Sequence, residues 1–352
     1  MIYTKSQSDY VDFDANFQPL PKLGHFSRKH PAYEAAEEAI GAAFSQLYCL
    51  PDFESFRNAA GDIDAIIPPG GPDRYRDVTT QLMHFATRDG HIAELKVYKS
   101  PNVEPNAVLM YRMHGGAWCV GRHEVDGAEN VYAATNKNIV VVSVDYRLAP
   151  ENPFPRPLHD SYDGLLWCKQ NANLLGVNPE RIILSGSSAG ANLAAALAIE
   201  CRDNGVTGVI AQVLHFPATC HPKFFPKHEY EFGSYIQSYE NPVLSTLRYE
   251  ACLDIYVPHA VPDHRHSPLL AKSLKGLPPT LIQCAGADIL RDEAFAYAEA
   301  LQASGVDVEI YSYEGLPHCF PVILDTISET SYFYARYQKF LEHYSITSSL
   351  DP

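Results

Sequence analysis

From about residue 78 onward the chain alternates short apolar runs, rich in β-branched residues, with segments of helix length. No other feature restricts its fold as tightly. The runs fall at 107–113, 138–146, 181–185, 207–216, 280–285 and 306–313, and the helix-length segments at 161–173, 189–203, 292–304 and 326–343. Strands that are apolar along their whole length need cover on both faces, which predicts a mostly parallel central sheet with helices packed on either side. One interval does not alternate. Residues 217–268 are partly polar and hold most of the nine aromatics found between 215 and 257, so this stretch reads as an excursion that rejoins the sheet at the strand near Thr280. Ahead of the sheet, Tyr33, Ala36, Ile40, Ala43, Phe44 and Leu47 recur at helical spacing, and Pro68-Pro69-Gly70-Gly71-Pro72 marks a break. The expected organisation is an N-terminal helical cap segment over 1–75, a core over 76–216 and 269–352, and a second cap segment inserted at 217–268.

Charge narrows the function classes. Against 27 Lys and Arg stand 42 Asp and Glu, a net charge of −15, so neither nucleic acid nor an anionic membrane is an expected partner. The eight cysteines form no C-x-x-C pair and are too sparse for a disulfide scaffold. Residues 1–14 are polar and acidic, unlike a secretory signal, and no apolar run approaches the roughly 20 residues of a spanning helix. The expectation is a cytoplasmic protein with reduced thiols and no membrane insertion; its oligomeric state is not fixed, and a homodimer stays open.

The chemistry concentrates in a few short stretches. Gly186-Ser187-Ser188-Ala189-Gly190 is a G-x-S-x-G string. It is informative because it follows an apolar strand and opens an alanine-rich helix. A sharp strand-to-helix turn requires small residues two positions either side of the central serine, and it presents the Ser188 oxygen above the helix N-terminus, where developing negative charge is favoured. The bland alternative, a phosphate-binding glycine loop, lacks both G-x-G-x-x-G and G-x-x-x-x-G-K. Upstream, Met113-His114-Gly115-Gly116-Ala117-Trp118 closes another apolar strand with two glycines, whose backbone N–H groups can point into a cleft and hold an oxyanion.

In combination with Asp145-Tyr146-Arg147-Leu148-Ala149-Pro150-Glu151 and Asp288-Ile289-Leu290-Arg291-Asp292-Glu293, these motifs resemble the hormone-sensitive-lipase-like branch of the α/β-hydrolases. The resemblance runs from about residue 78 to 345, and it extends more weakly to fungal members that trim esters in secondary metabolism. Members often carry a third glycine at the position of Ala117, and Asp or Thr at that of Ser187.

A nucleophilic serine needs a base and an orienting acid, in the chain order Ser, acid, His. Asp288 follows the strand at 280–285. Asp292, four residues on, is expected to cap the next helix instead. His318 follows the last strand, whereas His264 and His266 precede the acid strand and His343 lies in the terminal helix. Arg147 and Glu151 are read as ties for a loop beneath the site. The aromatics of 217–257 and of the first 60 residues either form the core of a helical cap or line an acyl or alcohol pocket, two readings that the sequence leaves level.

The expected activity is that of a serine carboxylesterase acting on a small-molecule ester. Ser188 is the nucleophile, His318 the base and Asp288 the acid, with Gly115, Gly116 and Ala189 as oxyanion donors and with no metal or organic cofactor. The resemblance implies short or medium acyl chains. Activity is expected to rise through about pH 6–7 as His318 loses its proton. The alternatives are another acyl transfer by the same residues (lactonase, amidase or transacylase) and a non-catalytic ligand receptor. Plant gibberellin receptors resemble the same branch but have lost the histidine, which this chain keeps as His318.

Overall fold

A computed structural model describes residues 4–61 and 66–346. The remaining parts of the segments delimited above, 1–3, 62–65 and 347–352, lie outside the described residues. Along the chain come helices α1 (Pro31–Tyr48) and α2 (Phe53–Gly61), strands β1 (Thr79–Ala86), β2 (Ile92–Lys99) and β3 (Ala107–Met113), helix α3 (Gly127–Ala134) and strand β4 (Ile139–Asp145). Helices α4 (Arg156–Gln170) and α5 (Ala172–Leu175), strand β5 (Val177–Ser187), helix α6 (Ala189–Asp203) and strand β6 (Val209–His215) follow. The excursion holds α7 (Ser234–Gln237) and α8 (Thr246–Tyr256). Strand β7 (Thr280–Ala285), α9 (Arg291–Ala303), β8 (Val308–Tyr313), α10 (Phe320–Ile323) and α11 (Ser328–Ser345) complete the chain.

The eight strands form one sheet in the order β1-β2-β4-β3-β5-β6-β7-β8. The β1–β2 and β2–β4 pairs are antiparallel, and every other pair is parallel. Alternation along the central strands divides the core in two. Leu109, Tyr111, Val140, Val142, Ile182 and Leu184 face one side, where α4, α6 and α9 pack. Val108, Met110, Ile139, Val141 and Ile183 face the other, covered by α3, α11 and the buried face of α1. Successive side chains point to opposite faces of a strand, so a doubly covered strand must be apolar throughout. That is why β3 and β7 sit where the sequence places them.

The β1–β2 hairpin and helix α3 are among the elements that escaped the sequence reading. The β1–β2 hairpin is exposed along β1 and alternates buried with half-buried residues along β2, so it lacks the continuous apolar signature. Helix α3 is only eight residues long. The excursion is mostly irregular, with α8 its one helix of more than a turn. Its ends meet where the Leu269 N–H donates to the Thr219 carbonyl (3.0 Å). The N-terminal segment runs along it, with Tyr10 OH donating to Asp254 (2.7 Å) and the Lys22 and Leu23 N–H groups to Glu231 (2.7 and 2.8 Å). Among the described residues no helix is long and apolar enough to cross a membrane.

Candidate active site

Ser188 sits between β5 and α6 with φ 55° and ψ −119°, a conformation that costs a non-glycine residue about 1–3 kcal/mol. The surroundings hold it there. Its N–H donates to the His215 carbonyl (2.8 Å), and its own carbonyl accepts from Asn192 N–H (3.1 Å). A Cβ on Gly186 would fall 2.2 Å from the Gly190 carbonyl carbon, and one on Gly190 would fall 2.1 Å from the Met113 oxygen. The two glycines therefore let helix and neighbouring strand close on the serine, and the strain is pinned from both sides.

The three residues picked from sequence as nucleophile, base and acid are together. His318 Nε2 is 2.9 Å from Ser188 Oγ, and His318 Nδ1 is 2.6 Å from Asp288 Oδ2. The other Asp288 oxygen accepts the Leu290 N–H (3.0 Å), which fixes the carboxylate plane. All three side chains are buried. Burial opposes charge on His318, but the facing Asp288 carboxylate outweighs it, and the ring's pKa is raised well above its ordinary 6.5. Asp292 takes a different part from the one expected. The first turn of α9 has no side-chain cap, and the Asp292 carboxylate instead accepts the Gly233 and Ser234 N–H groups (2.6 and 2.9 Å) and pairs with Arg291 (2.7 Å), tying α7 to α9.

The loop after β3 faces the serine. An ideal Cβ on Gly115 would lie 3.7 Å from Ser188 Cβ, and one on Gly116, at φ 121°, would collide with the Val120 carbonyl at 2.0 Å. Among the described residues neither the Gly115 nor the Gly116 N–H donates a backbone hydrogen bond. Ala189 is the first residue of α6, so its N–H has no preceding turn to bond. Ala117 takes φ 50°. The loop is held from behind: Tyr146 OH donates to the His114 carbonyl (2.7 Å), the two rings stack 4.3 Å apart, and Trp118 stacks on Tyr256 at 4.4 Å. Arg147 ties down its loop as expected, reaching Asp160 and Asp89. Glu151 does something further. It pairs with Arg57 of α2 (2.6 Å), whose guanidinium also donates to the Cys119 and Ala149 carbonyls.

A buried polar layer beneath the elbow was missed. Arg112 donates to Ser185 Oγ (2.9 Å) and Ser187 Oγ (2.8 Å) and pairs with Asp126 (3.3 Å) and with Glu129. His215 Nδ1 lies 3.3 Å from Glu129, and burial, helped by the Arg112 charge, pushes its pKa well below 6.5. The signal was available, since Arg112 interrupts an otherwise apolar strand and a fully buried guanidinium must be paired.

Above Ser188 opens a cavity of about 430 Å³, within the usual range for small-molecule sites. Its walls divide the aromatics that the sequence left level between two readings. Phe44, Tyr48 and Phe56 of the N-terminal helices line it, whereas the excursion contributes Val243, Leu244, Arg248 and Cys252. None of the aromatics of 217–257 lines it; they pack on each other, as in Phe225–Phe232 (4.5 Å) and Phe232–Tyr235 (4.7 Å), or on rings outside the excursion, as Tyr256 does on Trp118.

A family model described as alpha/beta hydrolase fold matches residues 110–322, more than half the chain and all six residues above. The chain is an α/β-hydrolase. The hydrolase belongs to the hormone-sensitive-lipase-like branch. It is 36% identical over 229 residues to the carboxylesterase NlhH of Mycobacterium tuberculosis, covering 64% of this chain and 70% of that protein. It is 33% identical over 317 residues to the AB hydrolase superfamily protein B1A11.02 of Schizosaccharomyces pombe, covering 88% of each. Among solved structures, vibralactone cyclase superposes on this hydrolase with a TM-score of 0.77 at 25% identity, over 91% of this chain and 96% of that one.

Proposed function

We propose that this hydrolase is a serine carboxylesterase for esters of short to medium acyl chain, working through a covalent acyl-enzyme. The observation that carries the reading is the continuous line from Ser188 Oγ through the His318 ring to Asp288, at 2.9 and 2.6 Å, on the floor of a largely apolar cavity. The naming of its relatives as carboxylesterases and esterases supports the same class of reaction.

In this reading Ser188 Oγ attacks the ester carbonyl as its proton passes to His318 Nε2. Asp288 holds Nδ1–H and stabilises the imidazolium. The N–H groups of Gly115, Gly116 and Ala189 take the oxyanion, each worth up to about 3 kcal/mol in the transition state. His318 then protonates the departing alcohol and activates the water that frees the acid.

The likeness to vibralactone cyclase favours a second reading, in which a hydroxyl resolves the acyl-serine in place of water. Hydroxyl acceptors competing with water during turnover separate the two. The primary test is turnover of p-nitrophenyl esters of graded acyl length by wild type and Ser188→Ala. The expected result is a burst or steady release in wild type, with kcat lower by about 10⁴ or more in the variant. Equal rates in the two proteins would overturn the assignment of Ser188. No turnover of any ester, together with no labelling of Ser188 by an organophosphonate, would overturn the esterase reading.

A further inference from the structure

The antiparallel end of the sheet carries chemistry that the ester reaction does not use. In the strand register His84 lies opposite Glu94, and Glu94 lies opposite Asp145. Directly opposed residues share a face, so His84, Glu94 and Asp145 form a row across β1, β2 and β4. His114, just past the end of β3, continues it, with Nε2 3.8 Å from Asp145 Oδ1. Over the row sits His123. Its Nδ1 is 2.8 Å from Ser143 Oγ, and its Nε2 points at Glu94 Oε1 from 3.5 Å. The His123 side chain is 2% exposed, and among the described residues its Nε2 has no hydrogen-bond partner. A buried polar nitrogen left in that state is costly. One donor atom from each of Glu94, His123 and Asp145 lies within 4.8 Å of the other two.

We propose that Glu94, His123 and Asp145 bind a divalent cation, zinc before any other. One imidazole nitrogen and two carboxylates form a donor set that zinc accepts, with a fourth position left for water. The Ser143 hydroxyl beside Nδ1 is the partner that orients a ligating ring so that its other nitrogen faces the metal. Of the nearby cations, Lys96 is engaged with Glu124 at 2.9 Å, and Arg122, half exposed, pairs with Asp145 at 3.8 Å. The location gives the ion a consequence. The loop that carries Gly115 and Gly116 begins at His114 and returns to the row at His123. It is drawn so tight that a Cβ on Gly121 would fall 2.5 Å from the Gly115 carbonyl. An ion on His123, Glu94 and Asp145 clips the return of that loop to β2 and β4.

The proposal does not rest on the ester reading, and its test reads the metal itself. Chelator-treated wild type, Ser188→Ala, Glu94→Gln, Asp145→Asn and His123→Gln are dialysed against zinc, and bound metal is measured over a range of free concentration. One equivalent in both wild type and Ser188→Ala is expected, with affinity at least about tenfold weaker once a ligand is removed. Should the buried His123 variant fail to fold, Glu94→Gln decides, because that side chain is about a quarter exposed on a strand near the sheet edge. No retained zinc in wild type, or an affinity unchanged in Glu94→Gln, would overturn the site and leave the row as imidazole–carboxylate pairs.

Discussion

At the scale of single residues, His318 carries a prediction whose sign follows from its surroundings. In the proposed mechanism only the neutral ring can take the serine proton, so activity is expected to follow deprotonation. The sequence alone placed that rise at about pH 6–7 from the ordinary imidazole value. In the structure burial works against the imidazolium, but the Asp288 carboxylate at 2.6 Å prevails and raises the pKa well above 6.5. A raised pKa keeps the ring protonated to higher pH, so the acid limb of kcat/KM moves upward and its midpoint is expected above 6.5. A rate profile flat from pH 5 to 8 would remove His318 from the role of base. Ser188, His318 and Asp288 were legible in sequence because each stands at the end of a strand whose apolar run announces it. Arg112 and Glu129 were not read. Their meaning lies in a pairing across β3 and α3 that no local pattern displays.

Elements show the same division. Strands β3 and β7 and helix α6 begin and end where the sequence puts them, because fully covered strands and an alanine-rich helix behind G-x-S-x-G leave little choice. The β1–β2 hairpin was overlooked although its signals are present, with Ile92–Lys99 alternating in burial and Asp89-Gly90 in the turn. How the excursion is fastened could not be read at all. Its anchor is Glu293 on α9, whose carboxyl accepts the N–H groups of Thr219 (2.5 Å) and Cys220 (2.7 Å) and the Tyr235 hydroxyl (2.9 Å). Burial pushes its pKa up to about 8, against 4.5 in the open chain. The folded state therefore holds a proton that the unfolded state releases between those values. Stability from this group is complete below pH 4.5 and is lost as pH rises through 8. Melting temperature is expected to fall with rising pH across that window in wild type and to fall less in Glu293→Gln, whose amide oxygen still serves both backbone donors. Parallel curves for the two proteins would show that Glu293 does not titrate there.

For the molecule as a whole, the sheet edge supplies the proposed reacting groups, while the walls of the cavity above them come from parts distant in sequence. The N-terminal helices bring Phe44, Tyr48 and Phe56, and α8 brings Arg248 and Cys252. Arg57 fastens α2 to the loop behind Gly115 and Gly116, and Tyr10 and Leu23 fasten the N-terminal segment to the excursion. On the proposed function, substrate size is set by residues that the catalytic motifs say nothing about, which is why the sequence could leave pocket and cap core level. The two roles part under mutation. Truncating Phe44 or Tyr48 to Ala widens a cavity that is already open, so the preferred acyl chain is expected to lengthen by a few carbons with a modest loss of stability. Phe232 lies between Phe225 and Tyr235, away from the cavity wall. Phe232→Ala should therefore cost about 3 kcal/mol of folding free energy and leave the chain-length profile of the surviving enzyme unchanged. Comparing p-nitrophenyl ester profiles with denaturant midpoints for the three variants decides the matter. A profile that shifts in Phe232→Ala but not in Phe44→Ala or Tyr48→Ala would place the acyl chain against the excursion rather than under the N-terminal helices.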